Sequence, residues 1–163
     1  MTAPDLILSG QAATDALAQA IAPLVGPGDT LLLEGEVGAG KTSFARALIQ
    51  AIRARDALPP EDVPSPTFTL VQTYETARFD IWHADLYRLA DPQEVLELGL
   101  ADAFSEALCL IEWPDRLGPD TPAGAATLCF AHDGPEARRL TITGGALADR
   151  LLHAVHVHNE ARP

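Results

Sequence analysis

Gly35-Glu36-Val37-Gly38-Ala39-Gly40-Lys41-Thr42, GEVGAGKT, satisfies every fixed position of the phosphate-binding pattern GxxxxGK[ST]. Glycines at 35, 38 and 40 let the backbone curl closely around phosphate oxygens, so that successive N–H groups donate to the anion. Lys41 then brings a compact positive charge to the terminal phosphates, and the Thr42 hydroxyl is offered to Mg²⁺. The helix that begins here turns its positive end toward the same ligand.

The flanks supply the order that the loop requires. Thr30-Leu31-Leu32-Leu33 is a short buried strand after a turn at Gly26-Pro27-Gly28-Asp29, and Ser43 to Arg55 is a helix with Phe44, Leu48 and Ile52 on one face. Arginines 46, 53 and 55 are free to stay solvated. Upstream, a helix is expected over Gln11 to Leu24, with Ala13, Leu17, Ile21 and Leu24 as its stripe and Ser9 as N-cap. Residues 56–66, DALPPEDVPSP, form a proline-rich surface connection.

Beyond it, TFTLVQTY (67–74) and ARFDIWHADLY (77–87) alternate as two strands, antiparallel about a turn near Glu75-Thr76. A helix from Pro92 to Phe104 is capped by Asp91, with Pro92 at its first position. Ala107 to Glu112 is a short apolar strand, and Pro114 to Pro122 a proline-rich loop. TLCFAH (127–132) and RRLTIT (138–143) are strands around a turn at Asp133-Gly134-Pro135, and Leu147, Leu151 and Val155 mark a closing helix. A polar tail from about residue 157 is expected to be flexible. The fold class is α/β: one P-loop NTPase-like domain over residues 1–163, with a mixed sheet that has an antiparallel portion and is flanked by helices.

Composition narrows the function. At 163 residues and 47% hydrophobic, the chain builds one core, and no apolar run reaches the roughly 20 residues of a membrane span. The N-terminus lacks a secretory pattern, so a cytoplasmic location without membrane contact is expected. Cys109 and Cys129 both sit in apolar strands and are expected as buried free thiols. A net charge of −12 opposes direct attraction to a phosphate backbone. Lys41 is the only lysine and Asn159 the only asparagine, which excludes an Asn-Lys-x-Asp guanine reader.

A phosphate loop of this kind works with a carboxylate at the end of another strand, and Glu112 holds that position as candidate metal ligand. An ordinary surface glutamate closing a strand is the alternative. Trp113, stiffened by Pro114, either covers the site or packs in the core. His83, Asp85, Tyr87 and Arg88 crowd a base, a carboxylate, a phenol and a guanidinium into six residues. If this is a strand end, His83, Asp85 and Tyr87 share a face, and Asp85 is placed to orient a water or support the metal. Arg88 pairing with Asp85 is the structural alternative, and a satisfied structural histidine is the plainer reading of His83. Ser65 or Thr67 offers a hydroxyl to the site, unless the segment is a rigid connector with a buried Phe68.

Together GEVGAGKT, SPTFTLVQTY, HADLYRL and IEWPDRL, in this order, resemble the bacterial TsaE family, also called YjeE. The resemblance covers about residues 9 to 117 and weakens in the last third. It implies a P-loop ATPase that hydrolyses ATP with Mg²⁺ and works with TsaD and TsaB in making threonylcarbamoyladenosine in tRNA, touching tRNA only through that complex. Carried over by position, it implies a phosphate loop from Gly35 to Ser43, Thr42 and Glu112 as magnesium ligands, and Lys41 and Asp85 in hydrolysis. The same resemblance implies Trp113 beside the nucleotide and Thr14 against base or sugar. Ala84 departs from the family, which often has a bulky apolar residue there. Arg138 and Arg139 are candidates for a further phosphate contact, and the sequence does not choose between them. Two other classes stay open: a small P-loop kinase acting on a metabolite or nucleoside, for which only Arg116 is available in the 114–122 loop, and a nucleotide-responsive binding module.

Overall fold

Four parallel strands occupy the centre of a seven-stranded sheet. A computed structural model describes residues 5–160, with side chains up to residue 156. The strands are β1 (Leu6–Leu8), β2 (Thr30–Gly35), β3 (Val71–Glu75), β4 (Asp80–Asp85), β5 (Leu108–Glu112), β6 (Ala126–Asp133) and β7 (Ala137–Gly144), in the spatial order β1-β7-β6-β2-β5-β4-β3. β6, β2, β5 and β4 run parallel, while β7 on β6, β1 on β7 and β3 on β4 are antiparallel. The expected mixed sheet is present.

Helices α1 (Gln11–Ile21), α2 (Lys41–Arg55) and α5 (Ala146–Glu160) pack on one face over Leu31, Leu33, Leu108, Leu110, Leu128 and Leu140. Helices α3 (Pro92–Glu97) and α4 (Leu100–Glu106) cover the other face only over the central strands, around Leu32, Ala84, Cys109 and Ile111. β5 is accordingly buried along its whole length, as a strand sandwiched by helices should be. β6 alternates instead: Ala126, Leu128 and Phe130 are buried, and the residues between them face outward. Cys129 lies on that outer side, so the expectation of two buried thiols holds for Cys109 and fails for Cys129.

Several boundaries differ from expectation. α1 is capped by Gly10, not Ser9, without a side-chain bond, and gives way to a 3₁₀ turn over Ala22–Leu24, where Pro23 interrupts the ladder. α2 starts at Lys41 rather than Ser43, directly on Gly40 in left-handed geometry. The helix expected over Pro92 to Phe104 is broken by Gly99, whose φ of 83° lies outside helical space, although Asp91 does cap its start by accepting from the Gln93 N–H. Residues 67–70 do not join β3. They form a turn closed by the Leu70 N–H donating to the Pro66 carbonyl at 2.8 Å. The β3–β4 reversal is centred one to two residues later than expected, with the Thr76 N–H donating to the Phe79 carbonyl. The 114–122 loop contains a 3₁₀ segment, Pro114–Asp120.

The connection at 56–66 runs over the surface but is tied down by the helix before it. Arg46 Nε donates to the Val63 carbonyl at 2.9 Å, Arg53 donates to Glu75 and Pro59 carbonyls and pairs with Glu61, and Gln50 bonds the Glu61 backbone. Val63 is buried as the anchor. α5 stays helical to Glu160, past the start of the expected tail; the side chains from 157 and residues 161–163 lie outside the described residues. No helix among the described residues is long and apolar enough to cross a membrane.

Candidate functional site

Strand register brings the two acids together. In the parallel β4–β5 pair, Asp85 stands opposite Glu112 and His83 opposite Leu110, all on the face that carries α2. β2 lies next to β5 and delivers the glycine loop and the first turn of α2 above the same strand ends. At Gly35 the chain passes so close to β6 that a Cβ would sit 2.4 Å from the Phe130 carbonyl oxygen, and φ is 142°, so only glycine fits.

The result is a cleft of about 480 Å³. Its phosphate-loop wall includes Val37, Gly38, Gly40, Lys41, Thr42 and Ser43; the opposite wall has Asp85, Glu112 and Trp113 with Ser65, Thr67 and Tyr87. The lining is completed by Leu8, Gly10, Gln11 and Thr14 at the β1–α1 junction and by Glu136 and Arg138 from the β6–β7 hairpin, Arg138 lying beside the loop with its Cγ 3.7 Å from where a Cβ on Gly40 would be. Gly35, Glu36 and Ala39 shape the loop without lining the cleft, the Ala39 N–H closing it onto the Glu36 carbonyl at 3.0 Å. Arg138 faces the cleft, whereas Arg139 points to the other side of the sheet, near Asp5 and Asp133.

Thr42 Oγ1 donates to Glu112 Oε1 at 2.7 Å, bringing the two candidate magnesium ligands into direct contact. Glu112 is almost fully buried, which removes the surface-glutamate alternative. Mg²⁺ is held in nucleotide sites by one or two carboxylates together with substrate phosphates, not by an all-protein cage. A hydroxyl and one carboxylate beside a phosphate loop fit that donor set, and no cluster of three or more His, Cys, Asp or Glu is present among the described residues.

Lys41 is buried, with Nζ 3.7 Å from the Trp113 ring centroid and donating to the Gly35 and Glu36 carbonyls. Loss of hydration lowers its pKa below the usual lysine value, while the charges of Glu112 and Asp85 push it back up. Trp113 adopts left-handed backbone geometry, φ 57°, immediately before Pro114, and its ring meets the Tyr87 ring at a 51° tilt with centroids 4.8 Å apart. It therefore covers the site rather than filling the core.

Asp85 is held from both sides: Oδ1 accepts the Tyr87 N–H at 3.0 Å and Oδ2 accepts from Thr67 Oγ1 at 3.3 Å. The Arg88 alternative falls away, because the Arg88 guanidinium lies over the Phe68 ring at 5.3 Å. Phe68 is 83% exposed, so the buried-connector reading of that segment also fails. β4 ends at Asp85, and Tyr87 does not extend the His83–Asp85 face; it reaches Trp113 from the following turn. The residue that the sequence reading undervalued is His83, whose Nε2 lies 2.7 Å from Glu112 Oε2. Its spacing from Asp85 signalled the shared face, but the partner is 29 residues away.

The family described as "Threonylcarbamoyl adenosine biosynthesis protein TsaE" matches residues 8–140. Relatives named "tRNA threonylcarbamoyladenosine biosynthesis protein TsaE" include that of Rickettsia felis, 44% identical over 68% of this chain and 62% of its own length. Those of Rickettsia bellii (43%; 67% and 73%) and Bacillus subtilis strain 168 (33%; 80% and 78%) bear the same name. The crystal structure of YdiB from Bacillus subtilis superposes with a TM-score of 0.75 at 23% identity, covering 96% of this chain and 95% of that one, a likeness of fold.

Proposed function

The chain belongs to the TsaE family, and from that premise we propose that it is a magnesium-dependent ATPase required for threonylcarbamoyladenosine modification of tRNA. Residues 1–163 act in this reading as one ATPase domain in the cytoplasm. It works in a complex with TsaD and TsaB, meets tRNA only through them, and leaves threonylcarbamoyl transfer to TsaD. Its own turnover resets the assembly between rounds. A net charge of −12 suits an energy-supplying subunit that does not grip tRNA itself.

The observation that carries the reading is the convergence of Lys41, Thr42, Asp85 and Glu112 at one end of a single cleft. Thr42 and Glu112 would hold Mg²⁺, which when bound neutralises charge on the phosphates. Lys41 binds the terminal phosphates, its charge little screened because water is excluded around it. Asp85, with each oxygen already fixed by Thr67 or the Tyr87 N–H, is oriented to accept a hydrogen bond from an attacking water. Trp113 walls the site from solvent, and Thr14 faces the end where sugar or base would lie. A kinase would need an arginine-bearing lid, but Arg116, the arginine of the 114–122 loop, donates to the Tyr87 carbonyl at 3.4 Å.

ATP turnover measured alone and with TsaD and TsaB tests this directly. Weak release of phosphate by the isolated chain, stronger release in the complex, and multi-turnover tRNA modification that needs the chain are expected. Modification that runs equally well over several turnovers without it rejects the proposal.

A further inference from the structure

Glu112 is only 2% exposed, and each of its carboxylate oxygens has a partner. Oε1 accepts from Thr42, and Oε2 lies 2.7 Å from His83 Nε2, a histidine with no exposed surface at all. For Glu112 to accept as a carboxylate, the imidazole must present its hydrogen on Nε2. Nδ1, the other ring nitrogen, has no hydrogen-bond partner in its buried surroundings.

Packing alone does not justify this residue. Its neighbours on the same face, Ile81 on β4 and Leu108 and Leu110 on β5, are aliphatic, and an aliphatic side chain at 83 would fill the space without stranding a polar nitrogen. The one polar group His83 satisfies is Glu112. From this we infer that His83 is a positioning residue for Glu112: it locks the carboxylate's rotation from behind, so that Oε1 is presented to Thr42 and to the cation those two residues would share. The inference rests on the magnesium–nucleotide reading above and extends it to the group that makes the ligand rigid. Residues that orient metal ligands in this way typically control affinity by about 10–100-fold.

Three substitutions separate orientation from filling. His83→Gln places an amide nitrogen near the position of Nε2, His83→Asn keeps an amide but falls short of Oε2, and His83→Leu fills the space without a donor. The readout is the affinity for a fluorescent N-methylanthraniloyl ADP, measured in EDTA and across a magnesium titration, which needs no turnover. His83→Asn and His83→Leu are expected to raise the magnesium concentration for half-effect by roughly tenfold or more, with affinity in EDTA kept within about twofold. His83→Gln should stay within about threefold of the parent. In the unsubstituted protein, two-bond ¹H–¹⁵N correlation should find the His83 hydrogen on Nε2.

A packing role predicts the reverse order, with His83→Leu most like the parent and no magnesium shift, and that result overturns the inference. So does equal weakening with and without magnesium, or an Nε2 that carries no hydrogen. If His83→Leu fails to fold, the Asn–Gln contrast and the spectrum decide. Glu112→Ala identifies which idea has failed. A magnesium shift there with none at His83 removes only this inference, whereas no magnesium dependence in any protein removes the underlying reading and this one with it.

Discussion

The β2–β5–β4 part of the sheet and its β6–β7–β1 flank are covered differently. β2 and β5 have helices on both faces and are apolar almost continuously, whereas the flank has α1 and α5 on one side only, and its other side shows Cys129, Ala131, Arg139 and Thr143. Asp85 and Glu112 stand at strand ends of the covered centre, and Lys41 and Thr42 on the first turn of α2 above them. The open flank contributes Arg138 and Glu136, and Arg138 reaches the phosphate loop, its Cγ 3.7 Å from where a Cβ on Gly40 would lie. Charge chemistry that depends on excluded water is thus centred where helices cover both faces of the sheet, and the half-covered hairpin adds Arg138 to it from the side.

The sharpest way to break this contrast is at Lys41. Lys41→Ala should lower ATP turnover on the order of 10³-fold, read by phosphate release, since it removes the charge at the terminal phosphates. Leu110→Ala, in the covered centre, should cost about 2–5 kcal/mol in urea unfolding, against about 0.5 kcal/mol or less for Thr143→Ala on the open face. Equal losses would mean that coverage does not distinguish the two regions. Asp85→Asn should slow hydrolysis about 10²-fold while nucleotide affinity stays within about threefold; loss of binding through misfolding would instead make Asp85 a structural brace. Arg138→Ala should weaken nucleotide binding only about fivefold, as befits a partly exposed charge, with Arg139→Ala close to neutral.

The gentlest probe is thiol labelling of the native protein at pH 8. Cys129 should react and Cys109 should not, because burial pushes the Cys109 thiol up to about 12 and shields it from reagent. Both should react after unfolding.

Local chemistry was readable from the chain, and pairing across distance was not. The glycine loop, the apolar strand before it, Asp91 as a cap and Glu112 at a strand end all follow from residues within one or two turns of each other. β1 is only three residues long and forms solely by pairing with β7, at the other end of the chain, so no run of alternation announces it. The choice of Arg138 over Arg139 rests on that same pairing: Arg138 is opposite Leu8 on the cleft side, and Arg139 is opposite Ile7 on the other. Cys129 looked internal because TLCFAH is apolar, but burial on a half-covered strand is decided by which face the helices occupy. Gly99 broke a helix whose apolar repeat continued through it, its left-handed turn setting the Trp82 ring 3.6 Å from where a Cβ would be.

The facing of Asp85 and Glu112 across a parallel ladder has a consequence for how this protein can vary over time. Their spacing is measured out by backbone pairing, so a single inserted or deleted residue within β4 would rotate an acid onto the opposite surface of the sheet, into the layer under α3 and α4. Changes of side chain can be explored one at a time and repaired. Changes of length near these strands cannot, and drift in chain length among related sequences should therefore collect in the connections, where no ruler is being kept.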